Sequence, residues 1–130
     1  MNTGGHRLSE EQKHALSERI IGCAFRVSNA LGSGFLEKVY ENALAHEVRK
    51  SGLEVKQQHP IKVYYDGVMV GDYYADLLVA HTIVLELKAT SEMSPVFAAQ
   101  CLNYLKATGL PLCLLLNFGK PRVEIKRFRL

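Results

Sequence analysis

The sequence predicts an α/β protein, and three observations lead there. Apolar residues recur at helical spacing over 16–31 and again over 36–48. From Ile61 to Ala89 the pattern switches to period two. A third helical stretch after Pro95 then gives way to a nearly continuous apolar run, Leu112 to Phe118, of the kind a strand buried on both faces requires. Helices, strands, a helix and strands again in this order suit a layered α/β core.

Each element has a local reason. Ser9 followed three residues later by Gln12 is a capping box that opens the first helix. Leu16, Ile20, Ala24, Val27 and Leu31 form its apolar stripe, and Gly32-Ser33-Gly34 ends it. A second helix is expected from about Phe35 to Lys50, with Leu36, Val39, Ala43, Leu44 and Val48 on one side. Gly52 follows it, as a residue that accepts positive φ cheaply. Leu53 to Gln57 reads as a first short strand or its approach. Ile61, Val63 and Tyr65 alternate, Asp66-Gly67 is a tight hairpin turn, and Val68 to Leu78 continues with period two. In the next strand Ile83, Leu85, Leu87 and Ala89 face one way, and Val84, Glu86 and Lys88 the other. Pro95 fits the first turn of a third helix reaching about Ala107, which Gly109-Leu110-Pro111 stops. After the apolar run, Gly119-Lys120-Pro121 turns the chain into a last, basic strand from Val123 to Leu130.

Composition narrows the classes. A chain of 130 residues fits one domain, residues 1–130, since domains run to roughly 150 residues, and about the first eight residues are expected to fray. No apolar run nears the roughly 18 residues of a membrane span, and the polar start lacks the apolar stretch of a signal peptide. Cys23, Cys101 and Cys113 are odd in number and far apart, which argues against a disulfide framework and for a reducing, cytoplasmic setting. A net charge of +3 permits a nucleic-acid partner without demanding one. The five histidines show no metal-ligand spacing, although His46 and His59 are placed where they could border a site.

Four charged residues interrupt otherwise apolar elements: Glu37, Asp76, Glu86 and Lys88. Glu86 and Lys88 share one face of a strand, where a simple ion pair is the plainest explanation. The strand, however, has the composition of a central one, where a charge is rarely buried unless it is paired or binds metal. Asp76 lies ten residues earlier, across a hairpin near Ala80-His81. A two-residue loop would set Asp76 and Glu86 on opposite faces; a three-residue loop or one bulge would set them side by side. Adjacent carboxylates repel unless a cation lies between them, and hard oxygen donors favour Mg²⁺ or Mn²⁺. Such an ion would polarise a phosphodiester and acidify a bound water, with Lys88 orienting that water or offsetting charge. Glu37 could support the metal. Gln100 and Tyr104, at i and i+4, share a helix face and could touch the phosphate or orient Lys88.

Asp76 followed by Glu86-x-Lys88, after a helix carrying Glu37, resembles the PD-(D/E)xK nuclease superfamily. Gln100-x-x-x-Tyr104 resembles the QxxxY motif of its RecB-like branch. Gly34-x-x-Glu37-x-x-Tyr40 resembles the signature of the small GxxExxY proteins of bacteria and archaea. The resemblance extends over nearly the whole chain, with Tyr74-Ala75 in place of the superfamily's Pro and Cys113 where a Gly is expected. It implies a restriction-endonuclease-like core, a mixed sheet flanked by helices with the site at one sheet edge. It also implies a metal-dependent nuclease. The expected ligands are Asp76, Glu86 and Glu37, with Lys88 catalytic and Gln100 and Tyr104 around them. The expected substrate is nucleic acid, DNA in preference to RNA, gripped by a homodimer or within a larger complex because the chain is small. A non-catalytic nucleic-acid- or partner-binding module that keeps the fold is the rival. The basic residues from Lys120 to Arg129 read as a solvated edge strand before they read as a phosphate path.

Overall fold

The computed structural model describes residues 8–130. Two helices come first, α1 (Glu10–Leu31) and α2 (Glu37–Lys50). A hairpin follows, β1 (Val55–Tyr65) and β2 (Val68–Val79), then β3 (Ile83–Lys88), α3 (Pro95–Thr108), β4 (Leu112–Asn117) and β5 (Glu124–Phe128). The five strands form one sheet in sequence order. All neighbours are antiparallel except β3 and β4, whose parallel pairing is bridged by α3. The mixed sheet flanked by helices is the restriction-endonuclease-like architecture expected.

Local chemistry accounts for the boundaries. The Ser9–Gln12 capping box is present with both of its hydrogen bonds. Asp66 and Gly67 both have positive φ, as the expected hairpin turn demands. Pro95 is in the first turn of α3, and Gly109 closes that helix in the left-handed conformation.

Some expectations are corrected. The helix expected from Phe35 begins at Glu37, because Leu36 stays extended ahead of it and both Phe35 and Leu36 are exposed. The short strand expected at Leu53–Gln57 is the start of a single long β1. Pro60 lies within that strand, which is tolerable because β1 is at the edge of the sheet. Fraying expected for about residues 1–8 falls outside the described residues for 1–7, but Leu8 packs against the core.

The sheet has a core on each side. Leu16, Ile20, Tyr40 and Leu44 of α1 and α2 pack on Leu77, Leu85, Leu87, Leu114 and Leu116. Cys101, Tyr104 and Leu105 of α3 pack on Val84, Cys113, Leu115, Ala75 and Ile61. β3 is central, and Ile83 to Leu87 are all buried. The three cysteines are buried and free.

Besides a register shift between Val63 and Tyr64, strict alternation fails midway along the hairpin. Val55 of β1 and Leu77 and Val79 of β2 face the α1–α2 layer, whereas Ile61 and Ala75, of the same parity, face α3. Both strands therefore change faces between these positions. Gln58, with a φ of 53°, is at this point of β1, and Asp76 lies across from it in β2. The β2–β3 ladder also ends here, at Leu77↔Leu85. Beyond it the β1–β2 hairpin continues as a two-stranded ribbon under α3.

Candidate active site

The β2–β3 loop decides which side chains meet. Val79 pairs with Ile83, so the loop has three residues, Ala80, His81 and Thr82. Ala80 and His81 both take positive φ to make the turn. That register sets Asp76 opposite Glu86, the alternative that a shared site requires. Side chains then continue the ladder that the backbone abandons. The Asp76 N–H donates to Glu86 Oε1 at 3.2 Å, and the Leu87 N–H donates to Asp76 Oδ2 at 2.8 Å. The pair lies within the sheet, where β2 parts from β3, rather than at the outer edge that the resemblance implies.

Burial makes this an electrostatically strained place. Glu86 is only 4% exposed. Burial first, then the Asp76 carboxylate, pushes its acid up to about 9. Asp76 is also raised, chiefly by burial, with Glu41 adding repulsion and the Leu87 N–H opposing it. Glu37, the first residue of α2, is raised by partial burial and then by Asp76. Three carboxyl groups thus hold their protons more tightly than usual because each is partly desolvated and near another.

Lys88 shares the α3-facing side of β3 with Glu86. Among the described residues it makes no ion pair, so the plain Glu86–Lys88 salt bridge is not what holds either residue. Its ammonium instead lies 4.5 Å from the centre of the Phe97 ring on α3. It is near enough to lower the acids of Glu86, Asp76 and Glu37. Gln100 Nε2 donates to the Tyr104 hydroxyl oxygen at 2.6 Å, so these two helix-face residues work as a unit. Burial, then Glu86, pushes the Tyr104 phenol up to about 12, which keeps it an O–H donor at neutral pH.

Two residues in this cluster escape a reading of the sequence. Glu41 is buried on α2, one turn beyond Glu37, and that i, i+4 spacing was the signal available for it. Gln58 gives no signal. Its amide donates to Glu41 Oε1 at 2.8 Å and to Asp76 Oδ1 at 3.4 Å, tying β1, α2 and β2 together. Gln57 and Lys38 occupy the other Glu41 oxygen. Tyr40 serves the structure. Its hydroxyl donates to the Gly32 carbonyl at 2.5 Å and accepts from the Phe35 N–H, and its ring stacks on Phe118. It fixes the loop that delivers Glu37.

Other expected contributors lie apart. His46 is exposed on α2, and His59 borders a groove beside the edge strand with Lys56 and His81. Arg127 and Arg129 pair with Glu18 and Glu10 of α1, in keeping with a solvated edge strand.

The donor set, clustered carboxylates with raised acids, fits a hard divalent cation. Among the described residues no three His, Cys, Asp or Glu side chains are already arranged around one point, because Asp76 and Glu86 are turned onto backbone N–H groups.

The family model for the PD-(D/E)XK nuclease superfamily matches residues 14–128. The chain belongs to the PD-(D/E)XK nuclease superfamily. Membership supports a nuclease, a hydrolase of phosphodiester bonds. Among solved structures, an alkaline exonuclease from Laribacter hongkongensis is similar in fold. The TM-score is 0.51 at 14% identity, over 95% of this chain and 72% of that one. No curated protein sequence matches the chain. Among the described residues, no helix is long and apolar enough to cross a membrane.

Proposed function

We propose that this member of the superfamily is a Mg²⁺- or Mn²⁺-dependent nuclease acting on DNA, in one domain spanning residues 1–130. The observation that carries the reading is the register of β2 on β3, which opposes two carboxyl groups, the half-buried Asp76 and the buried Glu86, beside Lys88. Desolvated carboxyl groups side by side cost stability as soon as both ionise, and such pairs cluster at functional sites. Asp76 and Glu86, supported by Glu37, would hold the ion. When bound, it would supply positive charge to the phosphodiester and acidify a water. The Lys88 ammonium, held over Phe97, orients the attacking water and balances charge on the phosphoryl oxygens. The Tyr104 hydroxyl, fixed by Gln100, donates to a phosphate oxygen. Gln58 holds Asp76 in place through its shared contact with Glu41.

The GxxExxY and QxxxY assignments belong to the same proposal. Gly34 supports the first, since its φ of 116° suits glycine, Glu37 starts α2, and Tyr40 ties the loop between them. A cytoplasmic setting, and a second copy or larger complex that completes the grip on DNA, complete the reading.

Metal binding is testable without a substrate. Saturating Mn²⁺, at a hundredfold its dissociation constant, is expected to raise the melting temperature by about 5–10 °C. Asp76→Asn keeps an oxygen for the Leu87 N–H but loses charge, so the shift should vanish. An equal shift in that variant would refute Asp76 as a ligand.

A further inference from the structure

The β1–β2 ribbon beyond the β3 ladder does not end in solvent alone. Between it and α3 runs a groove of about 770 Å³, within the roughly 300–1,000 Å³ that accommodates a drug-sized ligand. That volume matches a short run of unpaired nucleotides. Tyr64, Tyr73 and Tyr104 line it, with Lys62 and Lys106, and no lining residue is acidic. Tyr64 is 62% exposed and Tyr73 49% exposed, so their rings are available for contact. Tyr73 lies 6.1 Å, centre to centre, from Tyr104. Among the described residues Lys106 makes no ion pair, while Lys62 reaches Asp72 only at 3.9 Å.

The groove meets the candidate site at two shared residues. Gln100 and Tyr104 line it, and Tyr104 feels the charges of Glu86 and Asp76. Tyr73 is three residues before Asp76 on the same strand. Aromatic rings beside cations, with no acidic residue in the lining itself, are what a single strand needs; bases paired inside a duplex cannot use them.

We propose that the substrate enters this groove as a single strand, its bases stacked on Tyr64 and Tyr73 and its phosphates on Lys106 and Lys62, and that Gln100 and Tyr104 deliver the backbone to Asp76 and Glu86. This rests on the nuclease reading for its destination but not for its test.

The test is fluorescence anisotropy in EDTA, where no turnover occurs, with labelled oligothymidylate, oligouridylate, an abasic strand of equal length and a duplex. The single strands are expected to bind at least about tenfold more tightly than the duplex or the abasic strand. Tyr64→Ala and Tyr73→Ala should each weaken binding roughly tenfold, with Tyr64→Phe retaining it. Unchanged circular dichroism melts would show that the variants fold. Binding of either single strand supports the groove, and tighter thymidylate binding assigns DNA. Equal binding of the duplex or the abasic strand, or unaltered affinity in both alanine variants, would overturn it. A chain that binds as expected but never cuts would refute only the nuclease reading.

Discussion

Glu86 gives the sharpest prediction at the scale of a single residue. Its ordinary acid value of 4.5 rises to about 9 in the folded chain, first by burial and then by Asp76. Between those values the folded chain keeps a proton that the unfolded chain has lost. Stability without metal must therefore fall as pH rises through this window. The upward shifts of Asp76 and Glu37 act in the same direction. Glu86→Gln should stabilise the metal-free protein by about 2 kcal/mol at pH 8 and flatten the profile. Urea denaturation at pH 5.5 and pH 8 checks this; a wild-type chain more stable at the higher pH would contradict it. At this scale much was legible. Charges inside apolar elements stand out, so Asp76, Glu86, Lys88 and Glu37 could be named. Gln58 could not, because a polar residue at an irregular point of an edge strand looks like any solvated one. Glu41 resembled an ordinary exposed helix acid until the packing of α2 buried it.

Among the elements, the end of β3 is held by a crossing that leaves little trace in residue patterns. Lys88 is level with Asn117 of β4, and the Phe118 N–H donates to the Lys88 carbonyl. The Asn117 side chain grips both the N–H and the carbonyl of Thr90. Gly119 passes so close that an added Cβ would collide with the Thr90 backbone. Backbone cannot yield as a flexible side chain can. Gly119→Ala should cost about 2 kcal/mol or more and loosen the segment after Lys88. A melt within a degree of wild type would show that the crossing is not constraining. The elements themselves were largely readable, since capping residues, Asp66-Gly67 and Pro95 act locally. The face change at Gln58 and Asp76 was not, because it arises where two strands leave a third. The start of α2 was misplaced by the apolar Phe35-Leu36, which are exposed rather than helical. The Tyr40 hydroxyl secures that loop, so Tyr40→Phe should cost about 1–2 kcal/mol and weaken Mn²⁺ binding through Glu37. Calorimetric titration checks the second effect, and unchanged affinity would place Glu37 outside the site.

For the whole molecule, two cores on either side of one sheet give β3 its rigidity, and the proposed site lies where that rigidity meets an open ribbon. The layered α/β arrangement was visible in the order of periodicities. The groove was not: Tyr104 is far in sequence from Tyr64 and Tyr73 of the hairpin, and only the packing of α3 on the ribbon brings it to them. The central claim is that Asp76, Glu86 and Lys88 form a metal-dependent phosphodiesterase centre. Its most direct test is cleavage of labelled single-stranded, double-stranded and branched DNA with Mn²⁺ or Mg²⁺, beside Glu86→Ala and Lys88→Ala. Metal-dependent cleavage that falls at least about a hundredfold in both variants is the predicted result. Cleavage that persists in both, or binding of metal and strand with no cleavage of any substrate, would contradict it.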